Sequence, residues 1–388
     1  MTAPSGSTFP AAPGAPRPVI ASPSRSESVL HSGCGPIRAQ HYLPATPENV
    51  LWGRLPCAED LPVLEVDPGA EVTVDTVSHE GILEDQGSDP VAFFGAHGVP
   101  ASAVLDDAIA IAARQDLRDS TADGPHVVTG PILVRGAVPG DLVKVTVLEA
   151  LPRVGYGVIS NRHGRGALAG EYPLQAGTVS IFSPVEAGTD GPVGTLPLTT
   201  GGPRTVRYPL APFPGIVGVA VRGNVRAHSV PPGPHGGNID IRLLTVGSAV
   251  YLPVQVPGAL VYLGDPHFAQ GDGEVALTAL EASLRLTIRL DVVPHAEAVL
   301  AFGELDGPLV ETAEFLVPTG LHEDLDEAVR RCVRASIRLL GARFGMEPAL
   351  AYAYLSAATD VDISQVVDRV CGAHARIRVA DFADALHG

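Results

Sequence analysis

The sequence contains a single lysine, Lys144, among its 388 residues, and this scarcity excludes several kinds of chemistry. Lys144 lies in residues 141–147, where apolar and polar residues alternate in a way that is typical of a β-strand. A lysine that acts as a base or forms a Schiff base needs a setting that lowers its pKa, which such a strand does not offer. No GxxxxGK[ST] phosphate loop can be built around it either. Lysine-dependent mechanisms are therefore disfavoured.

Other common signatures are also missing from the chain. Gly247-Ser248 is followed by Ala249-Val250, so there is no GxSxG nucleophile motif, and no HExxH pair of histidines occurs. No apolar run approaches the roughly 18 residues that a membrane helix needs. The N-terminus lacks the charged start and apolar core of a secretory signal, so we expect a cytoplasmic protein.

Cysteines and positive charges are both scarce. The four cysteines are far apart and form no CxxC pair, which favours isolated thiols over a disulfide or a zinc site. The chain has 43 acidic and 26 basic residues and a net charge of −17. A surface that negative repels nucleic acids and anionic lipids, so we expect neither a nucleic acid nor a membrane as a partner. It does not hinder a small neutral substrate.

The local patterns predict a mainly β protein with a helical C-terminal portion, α+β overall. Strands are predicted over residues 70–77, 142–148, 217–221, 249–256 and 284–292. Helices are predicted over residues 324–344 and 347–358, with a third from near Ser364. A doubly wound sheet or a barrel of eight βα units does not fit this order.

Three regions follow from the composition. Residues 1–27 are rich in Ala, Pro, Ser and Gly, and we expect a disordered extension there. Residues 28–320 are predicted to be a β-rich catalytic body. Residues 321–388 are predicted to be a helical portion packed on that body.

The densest group of potential ligands lies in Gly264-Asp-Pro-His-Phe-Ala-Gln-Gly-Asp-Gly-Glu274. It contains Asp265, His267, Asp272 and Glu274, which are side chains that bind metals and carry protons. The glycines between them allow sharp turns. An apolar run over residues 258–263 predicts a buried strand that leads into this polar loop. The alternative is a tight turn stabilised by its aspartates.

A second polar segment is Pro231-Pro-Gly-Pro-His-Gly-Gly-Asn-Ile-Asp240. The prolines make a rigid turn, and Gly236 and Gly237 permit close approach of a ligand. Asn238 and Asp240 then lie on one face of an extended segment. An ordinary loop with an Asx turn is the alternative interpretation.

Two further segments carry charge. Asp75 and His79, in Asp75-Thr-Val-Ser-His-Glu-Gly81, close a predicted strand and either reach a shared site or form a surface turn. Asn161-Arg-His-Gly-Arg165 is basic, and it is either an anion-binding loop or a solvated one.

Taken in order, these segments resemble the acetamidase/formamidase family. The resemblance extends from about residue 36 to residue 383. It departs from the family at Pro266 and Phe268, where a smaller polar residue or an alanine is expected beside His267, and this bears on pocket shape and substrate preference. The segments that carry it are Phe213-Pro-Gly-Ile-Val-Gly218, Gly236-Gly-Asn-Ile-Asp240, Gly247, Tyr251-Leu-Pro-Val254, Gly258-Ala259, Gly264-Asp-Pro-His267, Gln270-Gly-Asp-Gly-Glu274, Ala353-Tyr-Leu-Ser356 and Ile363-Ser-Gln-Val-Val-Asp368.

The resemblance implies hydrolysis of a small aliphatic amide, of the acetamide or formamide type, to a carboxylic acid and ammonia. It also implies a β-sandwich-like body (jelly-roll or CUB-like), a homo-oligomer (a dimer or a multiple of dimers) and a divalent metal. Two alternatives stay open. One is a metal-dependent hydrolase of another C–N bond, in a carbamate, a urea or a larger amide. The other is a non-catalytic protein that binds small amides.

The residues suggest roles in such a reaction. Glu274 is the predicted general base, which later passes its proton to the departing ammonia. Asn238, with the N–H groups of Gly236 and Gly237, is predicted to orient the amide or stabilise the oxyanion, and His79 to contact the substrate. Mixed ligands favour zinc, whereas an all-oxygen subset would suit calcium. The predicted metal ligands are His267, which is also a predicted catalytic residue, together with Asp75, Asp240, Asp265 and Asp272.

Overall fold

The computed structural model describes residues 29–386, which form two large β-sheets, a two-stranded sheet and five α-helices. The prediction for residues 1–27 lies outside the described residues. The strands are β1 His41–Leu43, β2 Val50–Trp52, β3 Arg54–Leu55, β4 Leu64–Val66, β5 Ala70–Asp75, β6 Val127–Val134, β7 Leu142–Pro152, β8 Tyr156–Arg162, β9 Thr178–Gly188, β10 Gly191–Pro197, β11 Thr205–Pro209, β12 Phe213–Val219, β13 Ala227–His228, β14 Gly236–Asn238, β15 Ala249–Pro253, β16 Val261–Ala269, β17 Leu280–Glu281, β18 Leu284–Val293, β19 Leu309–Glu311, β20 Phe315–His322, β21 Asp360–Gln365 and β22 Cys371–Arg378. The helices are α1 Pro90–Gly95, α2 Asp106–Ala112, α3 His295–Phe302, α4 Leu325–Phe344 and α5 Pro348–Ala358. Short 3-10 helices cover Glu84–Gln86, Ala101–Ala103, Gln115–Leu117 and Val379–Leu386.

The predicted mainly β class is confirmed, and one apolar core joins the two large sheets. The nine-stranded sheet has the order β1-β5-β18-β7-β15-β19-β20-β22-β21. Its strand β18 carries a buried aliphatic residue at every second position from Leu284 to Leu290, including Leu286 and Ile288, because alternate side chains point to one face of a strand. These two residues pack in the same cluster as Val217 of β12 and Leu263 of β16, which belong to the second sheet.

Strand β16 lies at the centre of the eleven-stranded sheet and positions the site. It pairs antiparallel with β12, β6 and β17. The strand continues to Ala269, so the prediction that residues 264–269 belong to a loop is wrong. Residues 261–268 are all buried, because neighbouring strands cover both edges and the core covers the faces. Asp265 and His267, two residues apart, are therefore held by a rigid strand.

The C-terminal portion confirms two predicted helices and corrects the third. Helix α4 begins after Asp324, whose side chain accepts a hydrogen bond from the Glu327 N–H at 2.9 Å. Helix α5 also lies where it was predicted. The segment from near Ser364 is not a helix, because β21 and β22 form an antiparallel hairpin there. Strand β22 also pairs with β20, so this hairpin extends the nine-stranded sheet.

Two further predictions concern the cysteines and membrane-spanning helices. All four cysteines are free thiols, as predicted. No helix in this range is long and apolar enough to cross a membrane.

Candidate active site

The centre of the site is Asp265, which faces three histidines in the buried interior. Its carboxylate oxygens lie 3.1 Å from His267 Nε2 and 3.4 Å from His79 Nδ1. His126 Nε2 lies 3.8 Å from Asp265 Oδ1, and the His79 and His126 rings meet edge to face, with centroids 5.1 Å apart. All four residues are at least nine-tenths buried. Asp265 and His267 lie on strand β16. His126 directly precedes β6, and His79 lies in the segment that follows β5.

A second group of carboxylates surrounds His267. Glu281 Oε1 lies 3.0 Å from His267 Nε2, and Glu274 Oε1 lies 3.9 Å from the same atom. Asp240 Oδ1 lies 3.9 Å from His267 Nδ1. Asp240, Glu274 and Asp368 also form a compact set, with one oxygen from each within 4.8 Å of the others. The result is a continuous buried cluster of histidines and carboxylates.

The backbone is unusual at three of these carboxylates. Asp240, Asp265 and Glu274 have φ values of 48°, 48° and 47°, in the left-handed region that residues other than glycine rarely adopt. Such conformations cluster at functional sites, where the surrounding structure holds them. Gly215 permits the close packing, because a Cβ there would lie 2.6 Å from both Asp240 Oδ1 and His267 Cε1.

Hydrogen bonds behind the cluster fix the orientation of two histidines. Gln270 donates from Nε2 to the carbonyls of Asp240 and Ser364, at 2.8 and 3.2 Å, so its Oε1 accepts from His267 Nδ1 at 3.0 Å. His267 Nε2 is thereby directed at Asp265 and Glu281. His126 Nδ1 bonds the Ser229 hydroxyl at 3.0 Å and leaves Nε2 facing Asp265. Such outer hydrogen bonds are typical of histidines that bind a metal.

His79 has its own partner, Glu80. Burial opposes the charged form of His79, but the nearby carboxylates of Asp265 and Glu80 outweigh it and raise its pKa to about 10. Burial likewise opposes ionisation of Glu80, but His79 and Arg162 lower its pKa to about 2. Ser160 and Gln86 also donate to Glu80.

The remaining ionisable groups have strongly shifted pKa values. Burial raises the pKa of Asp240 and of Glu274 well above the usual range, and nearby carboxylates raise both further. Burial also raises the pKa of Asp368 to about 8, with the charge of Asp265 adding to the effect. His126 has its pKa lowered to about 3, mainly by burial. Shifts of this size, with specific partners and in a cleft, are typical of functional sites.

Several buried polar atoms of the cluster make no hydrogen bond with any residue from 29 to 386. They are His79 Nδ1, both Asp240 carboxylate oxygens, Asp265 Oδ1, His267 Nε2, Glu281 Oε2 and Asp368 Oδ2. Burying such atoms without partners is costly, and an ion is one common explanation. Imidazole with carboxylate, as in His79, His126 and Asp265, suits zinc, whereas the all-oxygen set of Asp240, Glu274 and Asp368 suits calcium. The donor set therefore fits a divalent metal.

Asp75, a predicted metal ligand, lies outside this cluster. Its carboxylate accepts two hydrogen bonds from Arg285, at 2.6 and 2.9 Å, and one from the Tyr42 hydroxyl at 2.6 Å. Arg153 lies 3.5 Å away and bridges to Asp107. The prediction that Asp75 binds the metal is therefore wrong. Its oxygens are occupied by these partners in a buried ion-pair network.

Asp75→Asn should lower the free energy of unfolding, and it changes no residue of the buried cluster. Removing one partner of a buried ion pair leaves the other charge uncompensated, which costs about 3–5 kcal/mol. We expect chemical denaturation to show a loss of this size. The matched change Asp116→Asn, in an exposed pair with Arg114, should leave the unfolding midpoint nearly unchanged. Equal midpoints for the Asp75 variant and the parent would contradict the structural role.

Three other predicted site residues, Asp272, Gly236 and Gly237, also lack the contacts that the sequence predicted. Asp272 is exposed and accepts from Arg242 Nε at 2.8 Å, outside the cluster. The Gly236 N–H donates to the Gly233 carbonyl at 2.9 Å, so it is not free to bind an oxyanion. Gly237 lies beside it in β14, paired with Val217 of β12. The glycines thus shape the strand, and their predicted contact with substrate is not supported by these positions.

Asn238 and the cleft beside it complete the site. A cleft of about 980 Å³ reaches the cluster, and Asn238, His79, Asp265, Glu274 and Glu281 line it. The Asn238 Oδ1 atom is buried and makes no hydrogen bond within residues 29–386, so it is available to a ligand. Strand β14 thus delivers a polar side chain to the cleft, as the sequence predicted.

Sequence reasoning missed four members of the cluster, His126, Glu281, Asp368 and Glu80. His126 and Glu281 belong to no dense motif. Asp368 was assigned to a predicted helix, whereas it lies in the turn between β21 and β22. Glu80 follows His79 directly, and an adjacent His-Glu pair was the one signal that could have indicated it.

A buried set of histidines and carboxylates at the end of a cleft is the kind of centre that metal-assisted hydrolases use. The acetamidase/formamidase family model matches residues 103–228 and 221–379. The chain belongs to the acetamidase/formamidase family.

Individual relatives agree with this assignment. The chain is 32% identical over 220 residues to the formamidase of Methylophilus methylotrophus, a match that covers 46% of this chain and 54% of that enzyme. It is 30% identical over 227 residues to the acetamidase of Mycolicibacterium smegmatis, covering 46% and 56%. The chain therefore spans little more than half the length of these relatives. The crystal structure of an acetamidase from Bacillus halodurans superposes with a TM-score of 0.68 at 25% identity, covering 89% of this chain and 99% of that one.

Proposed function

We propose that the protein hydrolyses a small aliphatic amide, of the acetamide or formamide type, to a carboxylic acid and ammonia. The observation that carries the proposal is the buried cluster around Asp265, in a chain whose family is named for these reactions. Asn238 lies where it can accept a hydrogen bond from the amide nitrogen.

We propose His79, His126 and Asp265 as the ligands of a divalent metal, zinc in preference to calcium. His267 and Asp240 lie close enough to contribute further ligands. Bound there, such an ion would polarise the amide carbonyl and make water more acidic. The unpartnered imidazole and carboxylate atoms support this assignment.

Glu274 is the proposed base. It lines the cleft, and burial raises its pKa, which makes it a stronger base than an ordinary carboxylate. It takes a proton from the attacking water and returns one to the departing nitrogen. Glu281 lies closer to His267 and holds that ring in place, which makes it a positioning residue in this scheme.

Ammonia release across a panel of small amides, ureas and carbamates tests the proposal. We expect formamide or acetamide to release ammonia faster than urea or a carbamate of similar size. Faster release from urea or a carbamate would favour a hydrolase of another C–N bond. Binding of acetamide without turnover in metal-loaded protein would favour a non-catalytic binding protein.

We also propose that the chain forms a homo-oligomer, a dimer or a multiple of dimers. Exposed apolar side chains on the outer strands of the second sheet, such as Val179, Ile181 and Val206, support this. Light scattering of the purified chain measures it, and a monomer at all concentrations would contradict it. The jelly-roll or CUB-like description of the body and a cytoplasmic location stay predictions.

A further inference from the structure

The mouth of the cleft is basic although its floor is acidic. Arg165 and Arg369 line the cleft and are exposed, whereas Asp265, Glu274 and Glu281 line it and are buried. The charge therefore changes sign from the floor to the mouth. This is unexpected in a chain with a net charge of −17.

The other charges at the mouth are already paired. Arg118 binds Glu84 at 2.6 Å and Arg162 binds Asp85 at 2.6 Å. Asp123 accepts from Arg54 at 2.5 Å. Arg165 and Arg369 have no carboxylate partner within residues 29–386, so two positive charges remain uncompensated at the mouth.

Arg165 lies on a loop that is hydrogen-bonded to the segment between β16 and β17. The Asn161 side chain donates to the Ala276 carbonyl at 2.9 Å, and the Ala167 N–H donates to the Val275 carbonyl at 2.9 Å. Gly166 has a φ of 83°, and a Cβ there would lie 3.1 Å from Asn161 Nδ2. These contacts hold the loop in one conformation, and they therefore fix the backbone position of Arg165.

Arg369 lies on a turn that is equally well fixed. The Gln365 Oε1 atom accepts from the N–H groups of Val367 and Asp368, at 2.9 and 3.1 Å, and Gln365 Nε2 donates to the Val370 carbonyl at 2.7 Å. Arg369 itself has a φ of 64°, which is costly for a residue other than glycine. Its neighbour Asp368 belongs to the buried cluster, so the backbone of Arg369 lies close to that cluster.

Both arginines line the cleft that His228 also lines. Burial lowers the pKa of His228, which lines the cleft, and the charges of Arg369 and Arg54 lower it further, with a smaller effect from Arg165. Two exposed positive charges therefore share one cleft with the buried cluster. Arginine is well suited to bind carboxylates because its planar group donates two parallel hydrogen bonds.

We propose that Arg165 and Arg369 bind a carboxylate on the substrate while its amide reaches the buried cluster. The substrate class is then the monoamide of a short dicarboxylic acid, and hydrolysis converts its amide and water into a second carboxylate and ammonium. The cleft of about 980 Å³ is far larger than acetamide fills, which agrees with a longer substrate. The reaction rests on the proposed amidase function, whereas the anion site rests on the arginines alone.

The test compares succinamate with butyramide, a neutral amide of similar length, in the metal-loaded protein. We expect a higher kcat/KM for succinamate, and we expect the ratio of the two values to fall about fivefold for Arg165→Gln or Arg369→Gln. Arg165→Lys should retain part of the preference. Arg204→Gln, an exposed arginine outside the cleft, is the matched control and should leave the ratio unchanged. The preference should also weaken as salt rises to about 0.5 M, because exposed charges are screened.

Calorimetric binding of succinamate separates this inference from the proposed function. Arginine-dependent binding without ammonia release from succinamate or from any neutral amide would uphold the anion site and overturn the amidase function. Turnover of neutral amides with no preference for succinamate would uphold the amidase function and overturn the anion site. A succinamate preference that survives both substitutions would also overturn it.

Discussion

Glu274→Gln is expected to lower kcat for amide hydrolysis by about a thousandfold, because a positioned acid–base group contributes on the order of 10²–10⁴. Glutamine has nearly the same shape and the same backbone demands, so folding should be preserved at this left-handed position. Metal content should also change little. Steady-state ammonia release and circular dichroism measure the two parts of this prediction.

The matched comparisons are Glu281→Gln and Glu297→Gln. Glu281 is buried against His267, so its loss should reduce activity less than the loss of Glu274. Glu297 is exposed at the start of α3, and its substitution should have no effect. Full activity in the Glu274 variant with a severe loss in the Glu281 variant would transfer the role of the base to Glu281.

Exhaustive chelation is expected to abolish activity, and zinc is expected to restore it. The unpartnered atoms around Asp265 would otherwise remain buried without compensation. Metal analysis together with ammonia release measures the effect. Full activity in protein that is verified to be free of metal would overturn the role of a metal in the reaction.

Two aspartates of one sequence motif provide a matched pair for metal content. Asp265 faces three histidines, so Asp265→Asn should lose the metal. Asp272 is exposed and paired with Arg242, so Asp272→Asn should retain it. Asparagine tolerates the left-handed backbone of Asp265, which limits the strain that the change itself introduces.

The sequence predicted the mainly β class and helices α4 and α5 well, because their apolar spacing and turn residues are local signals. It also indicated Asp240, Asp265, His267 and Glu274, whose side chains meet in the structure. The sequence did not reveal which strands pair with one another over long distances along the chain. His126 and Glu281 reach the cluster only because β6 and β17 both pair with β16.

The wrong assignments have local causes. Asp75 has the residue type of a metal ligand, but its partner Arg285 lies 210 residues away and no local pattern reveals that pair. The third helix was predicted to begin near Ser364, and the pairing of β21 with β22 shows a hairpin there instead. Asp368 was overlooked for the same reason.

The most direct measurement follows doubly labelled acetamide and formamide, with ¹³C at the carbonyl and ¹⁵N in the amide, in the presence of the purified, metal-loaded chain. We expect labelled carboxylate and labelled ammonium to appear in equal amounts as either amide disappears. Unchanged amides after prolonged incubation with folded, metal-loaded protein would contradict it.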